Sequence, residues 1–133
     1  MQKAASEGYG IIARMPLQFG LLTGKFSTHT RFDEGDHRQF RLTPEILKKL
    51  IPMLDEKLWP LAHTEGISKT ELALNFILSH REVSTVITGI RTPEQVIQNT
   101  VQVKKLSDIH LRYLQSLGQQ EWKKIVELME KQG

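Results

Sequence analysis

The sequence contains no cysteine. Without thiols the chain can form neither disulfides nor thiolate metal sites, and this composition fits a reducing cytoplasm, where we expect the protein to be located. Aromatic residues make up only 7% of the sequence and do not alternate with basic ones, so stacking platforms for single-stranded nucleic acid are not expected. No apolar run approaches the roughly 20 residues of a membrane span, and residues 1–10 are too polar for a secretory signal.

A concentration of charge of one sign is also missing. The formal net charge is +3 and the sequence pI is about 9.3, but Lys and Arg are scattered among Asp and Glu. We therefore expect neither a nucleic-acid nor a membrane partner. With 133 residues, 39% of them apolar, the chain has the composition of a single globular domain, residues 1–133. A domain of this length buries about two-thirds of its unfolded surface.

The order of apolar segments and helix signals predicts an α/β fold. Two short segments rich in β-branched residues predict strands at about residues 10–15 and 84–89. Capping patterns and apolar periodicity predict four to five helices, at about residues 44–64, 68–80, 92–104 and 107–131, with Gly118 dividing the last region. Pro52 and Pro60 are expected to kink or shorten the first of these helices. Residues 26–42 are predicted to form a long polar loop.

Strand, helices, strand and helix together form a βαβα unit, whose two strands we expect to be parallel with a right-handed crossover. Each predicted strand is followed by a glycine-containing loop. In α/β folds ligands bind at the carboxyl ends of parallel strands, so both loops are expected at one edge of the sheet. This edge is the predicted functional site.

The first loop, "PLQFGLLTGKF", superficially resembles a phosphate-binding loop. A Walker loop needs four residues between its glycines and a hydroxyl after the lysine. Here three residues separate Gly20 from Gly24, and Phe26 follows Lys25. The two glycines still allow backbone amides to approach an anion, and Lys25 adds positive charge. The alternative is an ordinary β-to-α turn whose glycines only permit the bend.

The second loop, "TGIRTPEQVIQNT", places Gly89 at a strand end, Arg91 two residues later, and the amides of a helix after Thr92. Helix amides and a guanidinium both favour a phosphate. Gln95 and Asn99 are four residues apart, so they share a helix face from which amide groups can read a purine edge. A capped helix with an exposed arginine and two surface amides explains the same residues and is favoured on this pattern alone.

Three segments, "GIIARMPLQFGLLTGKF", "GISKTELALNFILSH" and "VITGIRTPEQVIQN", resemble in order and spacing the carboxyl-terminal part of aldo-keto reductases. The "DHRQF" after the long loop resembles a bacterial subgroup, and the resemblance extends from about Gly8 to Asn99. It implies an incomplete (β/α)₈ barrel, in which two parallel strands and four to five helices bind NADPH without a Rossmann motif.

The resemblance also implies which residues contact the cofactor. The loop after the seventh strand of the family holds the pyrophosphate; the matching positions here are Pro16, Leu17, Gly20, Leu22, Thr23, Gly24 and Lys25. The loop after the eighth strand and its helix hold the 2′-phosphate and adenine; the matching positions are Gly89, Ile90, Arg91, Gln95 and Asn99. Arg14 stands where many members place an aromatic residue against the nicotinamide.

No catalytic or metal-binding residue is predicted. The family's tetrad of Asp, Tyr, Lys and His lies near the ends of strands two to four, a region without a counterpart in this chain. Tyr9 and Tyr113 fall outside the positions of a proton donor, and the five histidines fall in a loop, near helix ends or in the terminal helix. Adjacent Asp36 and His37 make a poor chelate.

Three functional hypotheses follow. The chain is the NADPH-binding part of an aldo-keto reductase, or a catalytically silent dinucleotide-binding or interaction module, or a folded remnant of a truncated gene. Two parallel strands cannot close a barrel, so we expect a homo-oligomer or a complementary barrel chain to cover their edges. Met1 lies just before the expected tail of the sixth barrel helix, which suggests a shortened chain or an internal start.

Overall fold

The computed structural model describes residues 1–100, 103–120, 122, 123, 125 and 127. These residues form an α/β fold, which confirms the predicted class. The two strands are β1 (Ile12–Arg14) and β2 (Thr85–Ile87), and the helices are α1 (Gln2–Ser6), α2 (Arg38–Arg41), α3 (Pro44–Lys57), α4 (Trp59–Glu65), α5 (Lys69–Leu78), α6 (Pro93–Thr100) and α7 (Asp108–Gln120). A 3-10 segment, Gln18–Thr23, follows β1. No helix among the described residues is long and apolar enough to cross a membrane.

The two strands pair in parallel, and they lie within the predicted ranges. The paired residues are Ile12 with Thr85, Ala13 with Val86, and Arg14 with Ile87. The chain between the strands, including α3, α4 and α5, forms the crossover that a parallel pair requires. Because the strands run in the same direction and in register, their carboxyl ends lie side by side.

The crossover helices supply most of the core. Thr43 caps α3 by accepting a hydrogen bond from the Ile46 amide at 3.4 Å. An apolar stripe of α3 is buried against the other helices: Ile46, Leu47, Leu50 and Leu54. The predicted helix at 44–64 is two helices, because α3 ends at Lys57 and α4 begins at Trp59, with Pro60 in its first turn. Proline is tolerated there because the first amides of a helix have no partner in the helix.

The start of α5 is fixed by the predicted capping box. The Ser68 hydroxyl accepts from the Glu71 amide at 3.1 Å, and the Glu71 carboxylate accepts from the Ser68 amide at 2.7 Å. Gly66, with φ of 67°, ends α4 in the left-handed conformation that glycine favours. These two signals orient the amino-terminal end of α5.

The last two predicted helices are shorter in the structure. The helix predicted at 92–104 is α6, which ends at Thr100. The region predicted to be helical at 107–131 contains α7, which ends at Gln120. Because α7 includes Gly118, this glycine does not divide the helix as predicted. Most of the prediction beyond residue 120 lies outside the described residues. Two short helices, α1 and α2, were not predicted as separate elements, although α1 lies where the tail of the sixth barrel helix was expected.

A carboxylate at the end of α4 holds α7 in place. Glu65 accepts hydrogen bonds from His110 Nδ1 at 2.6 Å and from the Ser107 amide at 3.2 Å, and Lys104 Nζ lies 3.6 Å from it. The hydrogen bond from His110 lowers the pKa of Glu65 to about 2. Leu106 and Leu114 are buried in the common core beside this cluster.

Candidate functional site

A cleft of about 1100 Å³ opens at the carboxyl ends of β1 and β2. It is lined by the loops that follow both strands, by part of the 26–42 loop and by the first residues of α5. Most of the predicted site residues line it: Pro16, Leu17, Gly20, Thr23, Lys25, Gly89, Arg91, Gln95 and Asn99. The other predicted residues, Leu22, Gly24 and Ile90, do not line it, although they belong to the same two loops.

The first loop has an unusual backbone. Three residues other than glycine adopt positive φ: Met15 (55°), Gln18 (44°) and Phe19 (59°). For an L-residue this conformation costs roughly 1–2 kcal/mol. Gly20 (91°) and Gly24 (74°) adopt it without that cost. Strained backbone is therefore concentrated in the segment that lines the cleft, a distribution typical of functional loops.

The two glycines also make room for lysine side chains. A Cβ atom on Gly20 would lie 3.0 Å from Lys25 Cε and 3.1 Å from Lys25 Nζ. A Cβ atom on Gly24 would overlap Lys69 Cδ. Thus Gly24, although it does not line the cleft, allows Lys69 of α5 to pack on the loop.

The second loop is ordered by the side chains of α6. Gln95 Oε1 accepts a hydrogen bond from the Arg91 amide at 2.7 Å. Asn99 Nδ2 donates to the Thr88 hydroxyl at 3.1 Å and to the Gly89 carbonyl at 3.4 Å. The two amide side chains were predicted to project toward a ligand, but each uses one of its two polar atoms to shape the loop. Gln95 Nε2 and Asn99 Oδ1 have no hydrogen-bond partner within the described part of the chain.

The amino-terminal end of α6 already attracts an anion. Hydrogen bonds from the Glu94 backbone amide and from the Thr92 hydroxyl hold the pKa of the Glu94 carboxyl below its usual range. The sequence predicted free amides at this position, whereas the structure places the Glu94 carboxylate on one of them. A phosphate binding there would compete with Glu94.

The 26–42 loop also contributes to the wall of the cleft, which the sequence patterns did not predict. Gly35, Asp36, His37 and Arg38 line the cleft, next to the first loop. Arg38 Nε lies 3.0 and 2.9 Å from the two carboxylate oxygens of Asp36, and its guanidinium stacks 4.8 Å from the Phe32 ring centroid. Hydrogen bonds from Arg38 hold the pKa of Asp36 well below its usual range. The length of the loop directly after a strand-end turn was the available signal.

The charges that line the cleft are mainly positive. Asp36 is paired with Arg38, and Glu71 is engaged in the capping box of α5. Lys25, Lys69 and Arg91 have no carboxylate partner among the described residues. No cluster of three histidine, aspartate or glutamate side chains in the described ranges is placed to hold a metal ion. The cleft therefore suits an organic polyanion, such as a phosphorylated molecule.

Three further residues considered in the sequence analysis, Arg14, Tyr9 and Tyr113, lie away from this cleft. Arg14 is exposed at the end of β1 and lines a second, mostly apolar cleft of about 890 Å³, beside Phe76 and Leu114. Tyr9 and Tyr113 are 67% and 39% exposed and line neither cleft. Neither tyrosine is positioned as a proton donor for a ligand in the cleft at the carboxyl ends of β1 and β2.

Parallel strands joined by helices, with a cationic cleft at their carboxyl ends, define the chain as an α/β protein of the parallel-sheet type. The chain belongs to the aldo/keto reductase family, whose model matches residues 1–119. The family that the motifs predicted is therefore confirmed.

Curated relatives are about three times as long as this chain. The chain is 31% identical over 110 residues to the L-glyceraldehyde 3-phosphate reductase of Escherichia coli (strain K12), a match that covers 77% of this chain and 31% of that protein. It is 29% identical over 118 residues to a putative voltage-gated potassium channel subunit beta of Schizosaccharomyces pombe, covering 84% of this chain and 34% of that one. It is also 28% identical over 106 residues to the L-galactose dehydrogenase of Arabidopsis thaliana, covering 78% and 28%.

The fold resembles a solved member of the family. The glycerol dehydrogenase of Gluconobacter oxydans superposes with a TM-score of 0.67 at 24% sequence identity, over 89% of this chain and 37% of that chain. At this identity the comparison shows the fold alone. The fold of the described residues thus corresponds to part of a (β/α)₈ barrel, the predicted fold class.

Proposed function

We propose that the cleft binds NADP(H) and that this chain forms the cofactor-binding part of an aldo-keto reductase-type oxidoreductase. The observation that carries the proposal is the meeting of two glycine-containing loops in one cationic cleft at the ends of adjacent parallel strands. Ligands of parallel α/β folds bind at this edge. In this arrangement the pyrophosphate lies on the first loop, and the 2′-phosphate and adenine lie on the second.

The composition of the cleft fits a dinucleotide phosphate. Its volume of about 1100 Å³ is slightly larger than the roughly 300–1,000 Å³ typical of small-molecule sites. Gly20 has no side chain to keep phosphate oxygens away from the backbone, and Lys25 and Arg91 supply positive charge from the two loops. Arg38 adds a guanidinium held in a fixed orientation by Asp36.

Arg91 is proposed to set the preference for NADP(H) over NAD(H). It is exposed, belongs to the second loop, and has its backbone held by Gln95. A guanidinium binds a phosphate through two parallel hydrogen bonds, and an unphosphorylated ribose offers no comparable partner. The side chain is therefore expected to discriminate between the two cofactors.

The names of the relatives support redox chemistry on carbonyl compounds. Two of the compared relatives are called a reductase of L-glyceraldehyde 3-phosphate and a dehydrogenase of L-galactose. When bound, the nicotinamide supplies or accepts the hydride. The residues of this chain bind and orient the cofactor; none of them is assigned to proton transfer to a carbonyl, and we propose that the 133-residue chain alone is not catalytic. The absence of cysteine supports a cytoplasmic location.

A second role, as one part of an assembled barrel, is favoured by the exposed sheet. Ile12 and Ile87 are 59% and 53% exposed on the two paired strands, whose outer edges have no strand partner within the described residues. We propose that further barrel strands cover this face, since the chain corresponds to 37% of the compared barrel.

Calorimetric titration with NADPH and NADH tests the cofactor proposal. The chain is expected to bind NADPH more tightly than NADH, and Arg91→Gln is expected to remove about tenfold in NADPH affinity while leaving NADH binding unchanged. Arg81→Gln, which removes an exposed arginine outside the cleft, is the matched control. No binding of either cofactor at millimolar concentration would contradict the proposal, and only the hypothesis of a folded remnant would remain.

A further inference from the structure

Lys69 is the cleft lysine for which neither the motifs nor the family resemblance provides a role. It occupies the first position of α5, far in sequence from both glycine-containing loops, yet it lines the same cleft as Gly20, Thr23 and Lys25. Its placement is a product of tertiary structure, so a sequence pattern could not reveal it.

The Lys69 side chain is held in one position by two neighbours. Its Nζ atom lies 4.8 Å from the centroid of the buried Trp59 ring, and its distal carbons lie against the backbone at Gly24. Aromatic faces attract ammonium groups, and this attraction orders a side chain that is otherwise flexible. Lys69 is half-buried as a result.

The Lys69 charge is ordered but not neutralised. The nearest carboxylate along α5, Glu71, accepts the Ser68 amide in the capping box, and no ion pair of Lys69 exists within the described residues. Lys25 packs in the same manner on Gly20, four residues before Gly24 in the same loop. Two ammonium groups without a carboxylate partner among the described residues therefore contact one loop and line the same cleft.

We propose that Lys69 is a second ligand of the cofactor pyrophosphate, contributed by α5 and admitted to the loop by the missing side chain of Gly24. This inference rests on the proposed function, because it assigns a contact within the NADP(H) site. Lys25 and Lys69 both line the cleft without a carboxylate partner among the described residues, and a dianionic pyrophosphate supplies negative charge to both. Ordering Lys69 before the ligand binds also reduces the entropy lost on binding.

A contact between Lys69 and the pyrophosphate predicts that replacing Lys69 lowers the affinity for every ligand that carries this group. Lys69→Gln is expected to weaken NADPH, NADH and ADP binding by a similar factor of about tenfold in calorimetric titration, because all three carry the pyrophosphate. Lys69→Arg, which keeps the charge, is expected to stay within about threefold of the unchanged protein. Lys48→Gln removes an exposed lysine of α3 outside the cleft and is expected to change nothing.

Gly24→Ala tests the proposed role of Lys69 without changing Lys69 itself. Its added Cβ displaces Lys69 from the loop without removing the charge, so it is expected to weaken all three ligands as Lys69→Gln does. Circular dichroism and thermal unfolding establish that each variant is folded, and Lys69→Gln carries the test if Gly24→Ala is not.

The possible outcomes separate the two proposals. Binding of NADPH by the unchanged chain together with full affinity of Lys69→Gln would overturn the role of Lys69 and leave the proposed function standing. A loss for NADPH alone, with NADH and ADP unaffected, would place Lys69 at the 2′-phosphate and overturn the pyrophosphate assignment. No binding by the unchanged chain would overturn both.

Discussion

Glu94 illustrates how a single side chain can modulate a binding site without belonging to it. Its carboxylate is bound by its own amide and by the Thr92 hydroxyl, at the helix end where a phosphate is proposed to bind. The sequence shows only a glutamate in the first turn, a residue usually interpreted as a favourable partner of the helix dipole. In a phosphate site the same charge is repulsive.

Replacing Glu94 is therefore expected to improve cofactor binding. Glu94→Gln removes one negative charge beside the proposed 2′-phosphate and is expected to raise NADPH affinity about two- to fivefold, with NADH affinity unchanged. Isothermal calorimetry at low ionic strength measures the difference. Glu82→Gln, in the turn between α5 and β2 and outside the cleft, serves as the control. Equal affinity of Glu94→Gln and the unchanged chain would place the 2′-phosphate elsewhere.

Single residues that begin or end a helix were predictable, because their effect depends on hydrogen bonds to close neighbours in sequence. The capping residues Thr43 and Ser68 and the helix-ending Gly66 follow short-range hydrogen-bond rules, and all three behave as predicted. Lys69 was missed because it reaches the cleft by packing on Gly24, which is distant in sequence. Arg38 was missed because it lies in the polar 26–42 loop, which shows no periodic pattern.

At the scale of secondary-structure elements, the end of α4 and the start of α7 are coupled through Glu65. Its carboxylate binds His110, the Ser107 amide and Lys104, which belong to the segment that returns along α4. Helix periodicity predicted both helices but not this connection, since it joins residues more than forty positions apart.

The Glu65 cluster predicts a loss of stability in acid. Because folding lowers the pKa of Glu65 from 4.5 to about 2, its contribution is fully present above pH 4.5 and is lost as the pH falls from 4.5 toward 2. Glu65→Gln is expected to lower the unfolding free energy at pH 7 by about 1 kcal/mol and to flatten this part of the pH profile.

Urea unfolding at several pH values between 2.5 and 7 checks this expectation. Asp36 also has a lowered pKa and contributes in the same direction below its ordinary value of 3.8, so the comparison is between Glu65→Gln and the unchanged chain at each pH. Glu56→Gln, an exposed glutamate of α3, is the control. Identical pH profiles for Glu65→Gln and the unchanged chain would show that the cluster is not stabilising.

At the element level the sequence predicted the order and type of the main helices and strands better than their ends. The break between α3 and α4 occurs at Leu58, before Pro60, because a proline fits the first turn of a new helix. The short helix α2 lies in a polar stretch without apolar periodicity, so no pattern predicted it.

At the scale of the whole molecule, the two-stranded sheet leaves large apolar side chains exposed. Ile12 and Ile87 are exposed on paired strands, and the compared barrel contains much more chain than the 37% that this fold matches. A parallel pair normally has neighbours at its edges and helices on both faces. The parallel topology was predictable from the alternation of strands and helices. The sequence patterns did not predict what covers the open edges of the sheet.

The exposed sheet predicts association. Size-exclusion chromatography with light scattering is expected to show that the chain self-associates in a concentration-dependent manner. Replacing both Ile12 and Ile87 with Lys is expected to shift it toward a monomer, since charged side chains on the exposed strands oppose association with a second copy. Replacing exposed Ile109 of α7 with Lys is the control. A compact, folded monomer of the unchanged chain at high concentration would contradict this expectation.

The proposed function requires that two loops from neighbouring strands share one dinucleotide. An amide-resolved NMR titration of the chain with NADPH measures whether they do. We expect the amide signals of Gly20 and Gly24 in the first loop and of Gly89 and Arg91 in the second to move together, with one common dissociation constant. Movement of only one loop, or two loops that saturate at different NADPH concentrations, would contradict it.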